Sequence, residues 1–281
     1  MGSIKKYGSA MSSISYLESI LKPFISKKYK EKNMKTYNPF SLEGKTILVT
    51  GASSGIGRAT AIECSKLGAR VVITGRNEER LAETYSQLEG DGHMQIVADL
   101  CKQEDIDRLV AETPAINGLV NNAGQNSLVT VNYIEQADLD KVYQTNVFAP
   151  ILLTKGLLKK RKIAKGGSIV FSSSISASLS TPANSIYASS KAAIDSFMRT
   201  CAVELGGRGI RANAVLPGTI ETTLGIGAIP DELIVKDKEL YALRRYGKPE
   251  EVAYSIIYLL SDAAAWVTGT SLVVDGGRLL K

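Results

Sequence analysis

Tyr187 and Lys191 stand four residues apart in YASSK, with only Ala188, Ser189 and Ser190 between them. On an α-helix, positions i and i+4 share a face, so the phenol and the ammonium would point the same way. A nearby ammonium favours the phenolate and should lower the phenol's pKa. Unpaired, a phenol with a pKa of about 10 is a poor base at neutral pH. Paired, it becomes a general acid/base suited to interconverting an alcohol and a ketone. The small residues between the two leave room for a cofactor. Taken alone, Tyr-x-x-x-Lys is also what an ordinary helix pair looks like.

A second pattern is TGASSGIGR, residues 50–58, with glycines at 51, 55 and 57. A glycine-rich turn lets the backbone approach a pyrophosphate, whose charge then rests at a helix N-terminus. Gly51, Ser53, Ser54, Gly55, Ile56 and Gly57 are the expected contacts. No Gly-Lys-Ser/Thr closes the loop, so it does not read as a P-loop. Gly51, Ser53 and Gly55 also fit the Gly-x-Ser-x-Gly elbow of α/β-hydrolases. That fold needs a histidine after the serine and the acid, and the only histidine, His93, comes early. The dinucleotide reading is therefore preferred.

An NAD site usually carries Asp or Glu about 20 residues beyond the glycines. Here VVITGRN puts Gly75 at that position, followed by Arg76 and Asn77. With no acid and a guanidinium at hand, a 2′-phosphate can be gripped through paired hydrogen bonds. The expected cofactor is NADP(H), with NAD(H) as the second choice. The plain alternative for Arg76 is a solvated surface charge.

These residues need elements to hold them. KTILVT (45–50), RVVIT (70–74), MQIVA (94–98), GLVNN (118–122), GSIVFS (167–172), IRANAV (210–215) and SLVVD (271–275) are short runs rich in Val and Ile. Amphipathic stretches separate them, at 55–67, 103–111, 139–162, 187–205 and 249–260. Strand alternating with helix predicts βαβ units and a parallel sheet covered on both faces.

Charge divides the chain in two. Residues 1–41 hold eight Lys and two acids, and the remainder holds 26 basic and 26 acidic residues. The body therefore has no net basic field to attract nucleic acid. Residues 1–41 read as a basic extension. A capping box at Ser15–Glu18 leads a short helical pattern that Pro23 would end. A poorly ordered leader is the favoured reading, and a membrane-surface helix the other. Cys64, Cys101 and Cys201 are scattered, which suggests reduced thiols and a cytoplasmic setting. One histidine and no close cysteine pair predict no metal site.

The order TGxxxGIG, NNAG (121–124), SSS (172–174), Tyr187-x-x-x-Lys191 and PG (217–218) is more telling than any one motif. With it the chain resembles the short-chain dehydrogenase/reductase family over about residues 42–278, most of all its 3-oxoacyl-carrier-protein reductase-like ketoreductases. The resemblance implies Tyr187 as acid/base and Lys191 as holder of the nicotinamide ribose. It implies Ser174, thirteen residues before the tyrosine, as the bond to the substrate oxygen. It implies Asn146 as holder of a water in the proton relay. Asn121, Ala123 and Gly124 would contact the cofactor, Asp99 and Leu100 its adenine, and Pro217, Gly218, Ile220 and Thr222 its carboxamide end. Strand-end hydrogen bonding is the plainer role for Ser172 and Ser173.

The expectation is an α/β fold. It would be a single doubly wound Rossmann domain over 42–281, with a seven-stranded parallel sheet in the order 3-2-1-4-5-6-7. The expected function is NADP(H)-dependent interconversion of a ketone and a secondary alcohol on a small-molecule substrate. A non-catalytic NADP-binding scaffold on the same fold is the alternative. The family resemblance suggests a homotetramer or homodimer in contact through 139–162, 187–205 and the C-terminal strand. Residues 219–243 are the expected lid.

Overall fold

The computed structural model describes residues 37–227 and 231–281. The helix expected from Ser15 lies outside the described residues, as does the middle of the expected lid. A compact unit runs from Pro39 to Lys281.

Its centre is a seven-stranded, all-parallel sheet in the order β3-β2-β1-β4-β5-β6-β7. The strands are β1 (Thr46–Thr50), β2 (Arg70–Gly75), β3 (Met94–Val97), β4 (Ile116–Asn121), β5 (Ile163–Ser172), β6 (Arg211–Pro217) and β7 (Ser271–Val274). Alternation along β1 shows why both faces must be covered. Leu48 packs into one apolar cluster while Ile47 and Val49 pack into the other, and all three are buried.

Helices close each face. On the Leu48 side lie α3 (Gln103–Glu112), α5 (Ala149–Lys159) and α6 (Ser185–Leu205), through Leu109, Leu153 and Met198 among others. On the opposite side lie α1 (Gly55–Lys66), α2 (Glu78–Tyr85) and α9 (Pro249–Leu260), through Cys64, Leu81 and Ile256. Three further helices are α4 (Gln136–Tyr143), α7 (Thr223–Ile226) and α8 (Ile234–Glu239). No helix among the described residues is long and apolar enough to cross a membrane.

β1 pairs with β2 on one side and with β4 on the other. The winding reverses between β1 and β4, which opens a crevice at the carboxyl ends of the strands. The helix expected over 139–162 divides differently. α4 passes through a π-helical segment, Gln144–Phe148, into α5, which stops at Lys159. Arg161 then takes a positive φ of 55° and β5 begins at Ile163.

Candidate active site

The glycine loop joins β1 to α1. Gly51 has φ +65°, a region a side chain disfavours, and a Cβ on it would stand 2.9 Å from the Ala123 Cα. Gly57 sits closer still: a Cβ there would lie 2.3 Å from the Gly51 carbonyl oxygen. Ser54 precedes α1 in an extended conformation and gives no side-chain cap. The first N–H groups of that helix are thus left to a ligand, at the positive end of its dipole. A cradle of backbone with an uncapped helix end fits a dinucleotide pyrophosphate.

A cleft of about 260 Å³ runs from this loop past β2 and β3. Gly51, Ser53, Ser54, Gly55, Ile56, Arg76, Asn77, Asp99 and Leu100 line it, as do Ala123 and Gly124. Gly57 works from behind, by close packing. Asn77 caps α2 by accepting from the Arg80 N–H at 2.8 Å. Arg80, which the sequence reading passed over, lines the cleft as well. Among the described residues neither Arg76 nor Arg80 forms an ion pair. Arg58, nearby, is engaged with Glu83 at 2.9 Å and with the Ser53 carbonyl.

Asn121, expected at the cofactor, is not among the residues that line either cleft. Its amide faces the helices and donates to Thr154 Oγ1 at 3.2 Å. Asn122 lines the clefts instead. It donates to the Thr50 carbonyl at 3.2 Å and accepts from Ser172 Oγ at 3.1 Å, tying β1, β4 and β5 together where they end. Successive residues at a strand end face opposite ways, and that alternation was the available signal.

A second cleft, about 400 Å³, adjoins the first, and Ile56, Asn122, Gly124, Thr222 and Leu224 line both. Its wall carries Ser174, Tyr187 and Lys191, with Pro217, Gly218 and Ile220 at the lid side. Thr222 caps α7 by accepting from the Gly225 N–H at 3.0 Å. The lid thereby starts directly over the glycine loop: a Cβ on Gly55 would meet Thr222 Cγ2 at 3.0 Å.

Lys191 is buried, and its Nζ donates to the Ser172 carbonyl at 2.7 Å. That ammonium lies 5.5 Å from the centre of the Tyr187 ring. Burial brings the lysine down to about 8. Burial also pushes the Tyr187 phenol up, against a smaller lowering by its bond with Ser174. The expectation that Lys191 would lower the phenol's pKa is therefore not met. The ammonium is committed to a carbonyl, and a buried phenolate loses more hydration than it regains. At neutral pH Tyr187 holds its proton.

Asn146 lies in the π-helical segment, a feature frequent at functional sites. Its Oδ1 accepts from the Gln125 N–H at 2.9 Å, and its Nδ2 donates to the Gln125 carbonyl and to Ser190 Oγ at 3.0 Å. Asn146 Oδ1 and Lys191 Nζ both lie within 3.4 Å of where a Cβ on Gly124 would stand. Asn146 is thus buried near Lys191 and is not among the residues that line either cleft. His93 is far from this chemistry in role: its ring nitrogens bond to the backbone at Val71 and Glu89.

The family described as enoyl-(acyl carrier protein) reductase matches residues 51–278. A 3-oxoacyl-[acyl-carrier-protein] reductase FabG of Rickettsia prowazekii (strain Madrid E) is 37% identical, covering 85% of this chain and 98% of the relative. A candidate short-chain alcohol dehydrogenase from Sinorhizobium meliloti 1021 superimposes with a TM-score of 0.81 at 31% identity, covering 87% of this chain and 100% of that one. A candidate NAD(P)-dependent gluconate 5-dehydrogenase from Beutenbergia cavernae, solved with NADP bound at low occupancy, superimposes with a TM-score of 0.80 at 33% identity. The coverage is 87% of this chain and 100% of that one.

Proposed function

From a chain that belongs to the short-chain dehydrogenase/reductase family, we propose an NADP(H)-dependent oxidoreductase that interconverts a ketone and a secondary alcohol. The observation that carries this is the convergence of Tyr187, Ser174 and Lys191 on one cleft that opens into the glycine-loop cleft.

The cofactor-side residues fit that reading. Arg76 and Arg80 stand unpaired, among the described residues, where an acid would favour NAD(H). Gly51, Gly55 and the uncapped start of α1 hold the pyrophosphate. Lys191 and Tyr187 hold the nicotinamide ribose, and Ile220 and Thr222 its carboxamide. When bound, the nicotinamide supplies or takes the hydride, and the protein orients it.

The chain's own chemistry is the proton. Ser174 Oγ and the Tyr187 hydroxyl both donate to the carbonyl oxygen and fix it. Tyr187 then gives its proton to that oxygen as negative charge grows on it. A phenol pushed up by burial keeps its proton at neutral pH, which suits the reducing direction. Lys191, held by the Ser172 carbonyl and backed by Asn146, replenishes the proton. A scaffold protein would have no use for this set. Two relatives are named for different substrates, a 3-oxoacyl group on acyl carrier protein and gluconate, so we propose the substrate by class alone, a ketone or its secondary alcohol. Three unpaired cysteines suit a cytoplasmic setting, and a dimer or tetramer is proposed from the family.

The test is NADPH consumption followed by absorbance over a panel of ketones and 3-oxoacyl thioesters. Turnover that disappears in Tyr187→Phe supports the reading. No turnover with any member leaves the scaffold alternative, and undiminished turnover in the variant would show that Tyr187 is not the acid/base.

A further inference from the structure

The cleft beside Tyr187 carries a cation that proton transfer does not use. Arg278 follows β7 in a short helical turn and lines the same cleft as Ser174 and Tyr187. Its guanidinium lies over the Tyr241 ring, 5.9 Å from the centroid. That ring is a fixed platform: Tyr241 is buried, and its hydroxyl donates to Thr219 Oγ1 at 2.8 Å while accepting from the Thr219 N–H at 3.1 Å.

No carboxylate claims the guanidinium. Among the described residues Arg278 forms no ion pair and no side-chain hydrogen bond. Asp275, three residues before it, spends both oxygens on the backbone N–H groups of Gly277 and Leu279, each at 2.9 Å. Asp237 is the one acid lining the cleft. It lies against the buried Tyr246 phenol, where it adds to burial in raising that phenol's pKa. Lys191, the other cation of the cleft, donates to the Ser172 carbonyl and is assigned above to the nicotinamide ribose.

A half-buried, stacked arginine with its donor fork unused is matched to a planar or tetrahedral oxyanion. We propose that Arg278 binds an anionic group, a carboxylate or a phosphate, carried by the carbonyl substrate. This rests on the ketoreductase reading of the cleft. The anion has two sources: the carboxylate of a short oxo acid, or the phosphate of a pantetheine arm on an acyl thioester. Both present the same oxygen atoms to the same fork.

Two substrate pairs separate the sources. One is 5-oxohexanoate against its methyl ester, and the other acetoacetyl-4′-phosphopantetheine against acetoacetyl-pantetheine. Within each pair only the anion changes. With NADPH, kcat/KM should favour the anion roughly tenfold or more in one pair, since a charged hydrogen bond contributes on that scale. The pair that shows it identifies the source. Arg278→Gln should erase the preference through KM, and Arg278→Lys should restore part of it. Equal use within both pairs, or an unchanged preference in Arg278→Gln, overturns the proposal. Calorimetric titration of the NADPH-loaded protein with 5-oxohexanoate and with 4′-phosphopantetheine covers a protein that turns nothing over. Anion binding that Arg278→Gln abolishes would then keep the anion site and sink the ketoreductase reading. No binding of either anion would sink the anion site.

Discussion

Ser172, Ser173 and Ser174 are identical neighbours with three different partners. Ser172 Oγ donates to Asn122, Ser173 Oγ donates to the Lys191 carbonyl at 3.0 Å, and Ser174 Oγ accepts from the Ser176 N–H at 3.1 Å while lining the cleft with Tyr187. All three line the cleft, and a triplet in sequence does not say which hydroxyl is left for a ligand. The strand's alternation and the start of a helical turn at Ile175 decide it. Tyr187→Phe removes one oxygen and keeps the ring, so packing should barely change. Turnover with the best ketone should fall by roughly 10² to 10⁴, the usual contribution of an acid/base group, with NADPH affinity within a few-fold by fluorescence titration. Near-normal turnover would make the phenol structural. Lys191 gives a pH prediction for the cofactor-free protein. Its pKa falls from 10.5 in the unfolded chain to about 8 in the folded one. Below pH 8 both states carry the proton, and the fold bears the full cost of burying it. Between pH 8 and 10.5 the unfolded chain keeps a proton that the folded one releases, so this group's contribution to stability rises with pH. The whole span corresponds to roughly 3 kcal/mol. The Tm of wild type minus that of Lys191→Met should therefore rise across that window. A flat difference would mean that Lys191 titrates normally. Arg76→Asp should weaken NADPH far more than NADH, and equal loss for both would reassign Arg76 to the surface.

At the scale of elements, strands were legible and polar helices were not. The Val- and Ile-rich runs announce β1 to β7 because a sheet covered on both faces must be apolar throughout. α2 reads EERLAETY, and only Leu81 and Thr84 in it are buried, so little periodicity marks it. The break at 160–162 was hidden because Lys160, Arg161 and Lys162 look like the polar end of a helix. A positive φ at Arg161 is set by the return into β5. The π-helical segment around Asn146 was equally silent, since one extra residue in a turn leaves no mark on composition. Of the expected lid over 219–243, the structure shows how the first residues pack. Thr222 caps α7 above the glycine loop, Leu224 faces both clefts, and Ile220 is buried beneath. A cofactor in the cleft would add contacts to Ile220 and Thr222, and segments of this kind close on ligand. Amide exchange in 219–243 should slow when NADPH is added. Unchanged protection would show a segment already as ordered without its ligand.

The strand order 3-2-1-4-5-6-7 was legible through the family resemblance, since alternating strands and helices show a parallel sheet without saying which strands are neighbours. The two clefts follow from that order, since the strand ends and the loops after them form their floor, while Tyr187 and Lys191 reach in from α6. The edge of the body was less visible, because an apolar residue near a basic leader has no periodic neighbours to betray its burial. The Pro39 carbonyl accepts from the Ala263 N–H at 3.0 Å, the Phe40 ring meets Tyr258 at 6.3 Å, and Leu42 is fully buried among α1 and α9 residues. These contacts show that the packed body includes Pro39, Phe40 and Leu42, which gives a graded prediction. A chain starting at Met34 keeps all three contacts and every cleft residue, so its Tm and turnover number should match the full chain. A chain starting at Glu43 loses Leu42. Burying a leucine side chain contributes about 1.5 to 3 kcal/mol, and a domain of this size shifts by about 2 to 4 °C per kcal/mol. Its Tm should therefore fall by roughly 3 to 12 °C while turnover at low temperature is kept. A full-length chain markedly more stable than the Met34 chain would show that the leader packs on the body. Lipid-vesicle binding by the full-length chain alone would instead assign the leader's net positive charge to a membrane surface.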